Sequence, residues 1–289
     1  VKSLDLHNFD TTNVTDMQFM FRSCESVEYI NVSSFNTRKV TNMHCMFYFN
    51  LKLKSLDLSS FDTTNVTDMQ EMFNGCKSLS ELNFPSTFVT TNVTNMKYML
   101  GSLQLKSLDL SNFDTSNVTL MEGMFRYNKQ LTSIKLKSFN VSKVTTFKNM
   151  FDEVLSLKSL DLSNFEINNA TISNMFSFMS ALERLNVSNF VLSDDADTSI
   201  YINITSGSSN IKLICCSEFI FTILIRYCTS LSTLLKVGYN IYVSEVYLNE
   251  LQSEIKPLHV TNEGILYREV NEIVNLRYQN NDYVAFQLQ

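Results

Sequence analysis

Carboxylates return along this chain at one place in a repeated phrase, and a row of carboxylates can hold a cation or cleave a glycosidic bond. Asp5, Asp57, Asp109 and Asp161 each follow the first leucine of an L-D-L word, and Asn31, Asn83, Lys135 and Asn186 take the same place between and after them. On neighbouring strands the alternation leaves two carboxylates two strand spacings apart, about 9.6 Å. Ca²⁺ ligands lie within about 2.6 Å of the ion, and a nucleophilic glycosidase pair sits about 5–5.5 Å apart. Neither a shared Ca²⁺ nor a nucleophilic glycosidase pair fits that distance. The row is either a solvated polar face, with like charges kept off adjacent strands, or a face turned toward a ligand.

The other reactive residue types form no recognisable site. His7, His44 and His259 fall at different phases of the repeat. Cys24 and Cys76 share a phase but lie two coils apart, too far for a disulfide. Cys45, Cys215, Cys216 and Cys228 lack metal-ligand spacing. Methionines recur as M-x-x-M-F, and 12 of the 13 in the chain occupy those two positions. Such a stripe could bind a soft metal, but its spacing is that of an apolar core face. The chain holds no Gly-rich phosphate loop, nucleophile elbow or metal motif, so it reads as a non-enzyme with no cofactor and no metal.

The elements that position these residues come from the period. The phase markers Leu4, Ile30, Leu56, Leu82, Leu108, Ile134, Leu160 and Leu185 are separated by 26 residues six times and then by 25, the signature of a solenoid. Ile211 to Leu213 and then Leu234 mark two worn coils. In K-S-L-D-L-S the apolar residues alternate with polar ones, as in a half-buried strand. D-T-T-N-V is a turn. T-D-M-Q-E-M-F reads as a short helical turn, with Thr67 as N-cap, Gln70 completing a capping box and Met69, Met72 and Phe73 on one face. Phe9, Phe35, Phe61, Phe88, Phe113, Phe139, Phe165 and Phe190 form a ladder inside.

The fold expected is an α/β repeat, a right-handed solenoid of about 26-residue coils with one parallel β-sheet. Residues 1–190 make the regular solenoid and 191–237 the degenerate closing coils. Residues 238–289 form a β-rich cap or begin another domain, with hairpins at L-H-V-T-N-E-G-I-L-Y-R-E-V and I-V-N-L-R-Y-Q-N-N-D-Y-V-A-F. Val1 sits at the phase of Leu53, so the sequence opens inside a coil and is expected to be a fragment.

Charge narrows the partners. The net charge is −6, and neither half of the chain is basic, which argues against a nucleic-acid surface. I-K-L-I-C-C-S-E-F-I-F-T-I-L-I (211–225) is too short and too interrupted by charge to span a bilayer; it reads as strand then helix. Nine N-x-S/T sequons occur, four of them the N-V-T of the repeat.

The pattern L-x-x-L-D-L-S-x-F-D-T-S-N-V-T-x-M-x-x-M-F-x-x-C-x-S-L resembles the repeat of the BspA-like leucine-rich repeat surface proteins. It runs strongly from Val1 to Leu192 and weakly to Val237, departing at Met99–Leu100, Phe147 and Ile172, apolar for apolar. The resemblance implies a leucine-rich-repeat solenoid at the cell surface or secreted, engaged in adhesion or in binding an extracellular, host or matrix protein. A passive spacer is the alternative. The residues expected to bind are those that break the Ser-Asp-Ser monotony of the strand face: Tyr29, Asn31, Glu81, Asn83, Lys135 and Lys137.

Overall fold

The computed structural model describes residues 1–168, 170–191, 204–225, 231–232, 234–238 and 241–244; the two hairpins expected beyond residue 257 lie outside them. The chain is a β-solenoid whose coils pair at the marker positions. Strand β1 (Ser3–Asp5) lies parallel to β2 (Tyr29–Asn31) with Leu4 opposite Ile30. β3 (Ser107–Asp109) pairs with β4 (Ser133–Lys135), Leu108 opposite Ile134. β5 (Ser159–Asp161) pairs with β7 (Arg184–Asn186), Leu160 opposite Leu185. A shorter ladder joins β6 (Ile167–Asn168) to β8 (Phe190–Val191). The expected single sheet is thus divided into separate stretches.

The solenoid closes differently from the expectation. β9 (Leu213–Cys215) adds parallel to β7, but Leu185 faces Ile214, three residues later than the period would place it. After helix α1 (Glu218–Ile225), strands β10 (Leu235–Gly238) and β11 (Ile241–Val243) form an antiparallel pair, and β11 rather than β10 lies against β9. Parallel stacking therefore ends at β9, and Leu234 does not mark another stacked coil. The Phe221 ring stacks on Tyr242 at 3.8 Å, fixing α1 over this end.

The M-x-x-M-F segment forms no helix. Alternate amides reach across to the next coil: Met17 to Asn42 O, Phe19 to His44 O, Phe21 to Met46 O and Ser23 to Tyr48 O, at 2.7–3.0 Å. Phe19 and Ser23 are left-handed, with φ of 59° and 56°, and the same two positions are left-handed in the coils that follow. Thr67 bonds Thr41 O instead of capping a helix, and the Gln70 amide is taken by Asp68. The methionines and phenylalanines still point inward, because the tight turns place them there. Bridges from Asp16 through Asn42, Asp68, Asn95, Leu120 and Thr146 to Thr171 make this a further parallel ladder.

The core is the set of stacked rows. From the second coil onward the Phe35-to-Phe190 row and both Met rows are buried, whereas Phe9 (54% exposed) and Met20 (40%) in the first coil are covered on one side alone. Phe21, Phe47 and Phe73 stack at 5.4 and 5.8 Å. A buried threonine row, Thr11, Thr37, Thr63, Thr90 and Thr115, runs beside them, and each hydroxyl donates to a carbonyl of the next coil. Burying a hydroxyl is tolerable only with such partners.

Candidate functional site

The outward carboxylates are occupied by the backbone. In the coil that starts at Leu53, Asp57 accepts the Ser59 amide at 2.8 Å, Asp62 the Thr64 amide at 3.0 Å and Asp68 the Gln70 amide at 2.7 Å. Asp109 accepts Ser111, and Asn31 accepts Ser33, at the same phase as Asp57. These are Asx turns, the means by which a chain with few Gly and Pro turns three times per coil. The bonds to Ser59 and Thr64 hold the Asp57 and Asp62 carboxyls below the usual range. At Asp109 the Lys135 ammonium, with Ser111, lowers the pKa to about 2. Ligand binding at this row would have to compete with the fold.

The expected binding residues divide into groups. Tyr29 is 48% exposed and carries the Lys54 ammonium 5.7 Å from its ring centre. Asn31 donates to Asp5 at 2.9 Å. Lys135 is paired with Asp109 at 2.6 Å, and Lys137 is exposed. Glu81 and Asn83 line a groove of about 750 Å³, with Phe84, Lys106, Asp109 and Asn112 also in its walls. The structure brings Glu81, Asn83 and the Asp109 end of the Lys135 pair together there. Tyr29 and Asn31 stand apart on the first coils.

A one-residue insertion lies in the wall of the groove. Leu56 to Phe61 spans five steps but Leu82 to Phe88 spans six, and the extra residue arrives with Pro85, which has no amide to donate. No strand forms at Leu82–Phe84, nor at Leu56–Leu58 one coil earlier, where Ser55 alone bridges to Tyr29, so the sheet is open between β2 and β3. Phe84 is half-buried at the break, its ring 4.9 Å from both Phe88 and Phe113.

A second grouping escaped the spacing rules. His44, Cys45 and Glu71 bring one ligand atom each within 4.8 Å of one another. Cys45 and Glu71 are 26 residues apart, the same position of adjacent coils, both left-handed with φ of 53° and 56°. Consecutive side chains of an extended strand point to opposite faces; a left-handed residue relaxes that rule. Burial, and then the Glu71 charge, push the Cys45 thiol up to about 12. Adding one period to each cysteine would have found Glu71.

The remaining candidates are structural. Besides Cys45, the cysteines Cys24, Cys76, Cys215 and Cys216 are free thiols. The Cys76 thiol donates to Phe47 O at 3.1 Å, and Asn50, one coil earlier, donates to Phe21 O and Phe47 O. His7 bonds Asp5, and His259 lies outside the described residues. The sequon residues Asn65 and Asn117 donate their amides to carbonyls of the preceding coil. Beside the left-handed positions, Arg22 lies over the rings of Phe19 and Tyr48, and Arg126 over Tyr127. No described helix is long and apolar enough to cross a membrane.

A family profile described as "Mycoplasma protein of unknown function, DUF285" matches residues 1–110 and 102–211. A leucine-rich repeat protein from Bacteroides ovatus, known from a crystal structure, is similar at 14% identity with a TM-score of 0.44, over 74% of this chain and 63% of that one. This chain therefore spans less than two thirds of that protein. No curated protein matches.

Proposed function

The chain belongs to the DUF285 family, and on that premise we propose that it is a non-catalytic protein-binding module, of the BspA-like leucine-rich-repeat kind, displayed at the cell surface or secreted. The partner is an extracellular, host or matrix protein, and its docking place is the groove at the break in the strand face. The observation that carries this reading is the groove itself. Elsewhere the strand face is mainly short polar side chains, many tied to their own turns, with Tyr29, Lys135 and Lys137 as the larger exceptions. Here a half-buried aromatic, Phe84, is rimmed by Glu81, Lys106 and Asp109, and an apolar centre with a polar rim is the usual anatomy of a binding patch. Non-catalytic action is supported by the occupation of the carboxylates in Asx turns.

The spacer reading keeps one supporting observation, the internal commitment of most outward polar groups. One binding experiment separates the two. Wild type, Glu81→Ser with Asn83→Asp, and Tyr29→Ser are compared in pull-downs against extracellular-matrix and host-surface proteins. The substituted residues are those other coils carry at the same places. The groove variant is expected to lose the partner and Tyr29→Ser to keep it. Equal binding by all three moves the site off the groove, and no partner for any favours the spacer.

A further inference from the structure

We infer that His44, Cys45 and Glu71 form a three-ligand site for a divalent transition ion, with Zn²⁺ the best match. The donor set decides the class. Thiolate, imidazole and carboxylate together suit Zn²⁺ and its neighbours, whereas Ca²⁺ and Mg²⁺ take oxygen ligands. Three protein ligands leave a fourth position for water or for a group on a partner, as at open zinc sites.

The geometry is close to what such an ion needs. Zn²⁺ binds these atoms at about 2.0–2.3 Å, so ligand atoms around it lie roughly 3.5 Å apart. The three atoms already lie within 4.8 Å of one another. The backbone beneath is held in register by the Cys45 amide bond to Gln70 O at 2.8 Å. The Phe19 ring flanks His44 at 5.0 Å, an apolar wall beside the imidazole.

The site is also particular to one pair of coils. At the position of His44 the other coils carry Gln18, Gln70, Lys97, Glu122, Lys148 and Ser173; at that of Cys45 they carry Phe19, Glu71, Tyr98, Gly123, Asn149 and Asn174. No other such group of three occurs among the described residues.

The test uses the full chain, reduced and stripped of metal, with Co²⁺ as a spectroscopic probe and Zn²⁺ as competitor. One equivalent of Co²⁺ should give a thiolate-to-cobalt charge-transfer band that Zn²⁺ abolishes. Cys45→Ser should remove the band, and His44→Gln and Glu71→Gln should each weaken binding by about tenfold or more. Gln is the residue of the adjoining coils at position 44, and far-ultraviolet circular dichroism checks that each variant folds. Absence of the band in folded wild type, its survival in Cys45→Ser, or unchanged affinity in both Gln variants would overturn the assignment.

Discussion

Thr115 and Asn140 are joined twice. The buried Thr115 hydroxyl donates to the Asn140 carbonyl oxygen at 2.7 Å and accepts the Asn140 amide at 2.9 Å. One side chain thus satisfies both backbone groups of a residue in the next coil. Thr115→Val keeps the shape and strands both groups, so it should cost about 1–3 kcal/mol in urea denaturation, while Thr115→Ser should keep most of the stability. Equal losses in the two variants would assign the effect to packing.

Aromatic rings lie over glycines in the left-handed rows. A Cβ on Gly123 would sit 2.0 Å from the Tyr98 ring, and Gly75 and Gly207 stand in the same relation to Phe49 and Phe178. Gly123 is itself left-handed, with φ of 60°. Gly123→Ala should therefore destabilise by roughly 1–3 kcal/mol. Adding Tyr98→Ala should return part of that loss, and a thermal double-mutant cycle should show coupling of about 0.5 kcal/mol or more. Strict additivity would mean that the ring moves aside at no cost.

The Asx turns give the solenoid an acid-sensitive limb. Carboxyl pKa values lowered in the folded chain mean that the unfolded chain binds more protons as pH falls. The contribution is complete above the ordinary carboxylate value of about 3.9 and is lost as pH falls through the lowered folded values, down to about 2 for Asp109. Asp57, Asp62 and Asp114 shift in the same direction. Replacing these three by Asn, which other coils use at the same places, should leave the neutral-pH fold intact and flatten the fall in melting temperature below pH 4. An unchanged acid limb would locate the sensitivity in other groups.

The period was legible because it is a property of spacing: Leu4, Ile30, Leu108 and Ile134 pair as their separations require. Met69, Met72 and Phe73 misled, because turns with left-handed residues every fourth position aim side chains inward at i, i+3 and i+4 just as a helix does. What the backbone does with its amides, bonding across coils or within one, leaves no trace in that spacing. The row of aspartates was visible, but its use was not, since an Asx turn spends the carboxylate on an amide two residues away that any sequence supplies. The groove was half legible: Glu81 and Asn83 stood out as exceptions, while the extra residue before Phe88 looked like a trivial change in loop length. His44, Cys45 and Glu71 were hidden because motif spacing is counted along the chain and a solenoid folds its neighbours one period away.

The tethers between coils repeat at the same pair of positions in coil after coil: threonine hydroxyl to the next turn's carbonyl, asparagine amide to the previous one. Removing or adding one whole period would leave each donor facing an equivalent acceptor. L-D-L-S-S-F-D-T-T-N-V-T-D-M at Leu56 and L-D-L-S-N-F-D-T-S-N-V-T-L-M at Leu108 are near copies, and recombination between such copies would delete or duplicate complete coils without breaking the joints. Length in this architecture is therefore cheap to change, while a coil with a distinct surface, such as the one holding Pro85, moves as a cassette to a new height on the stack.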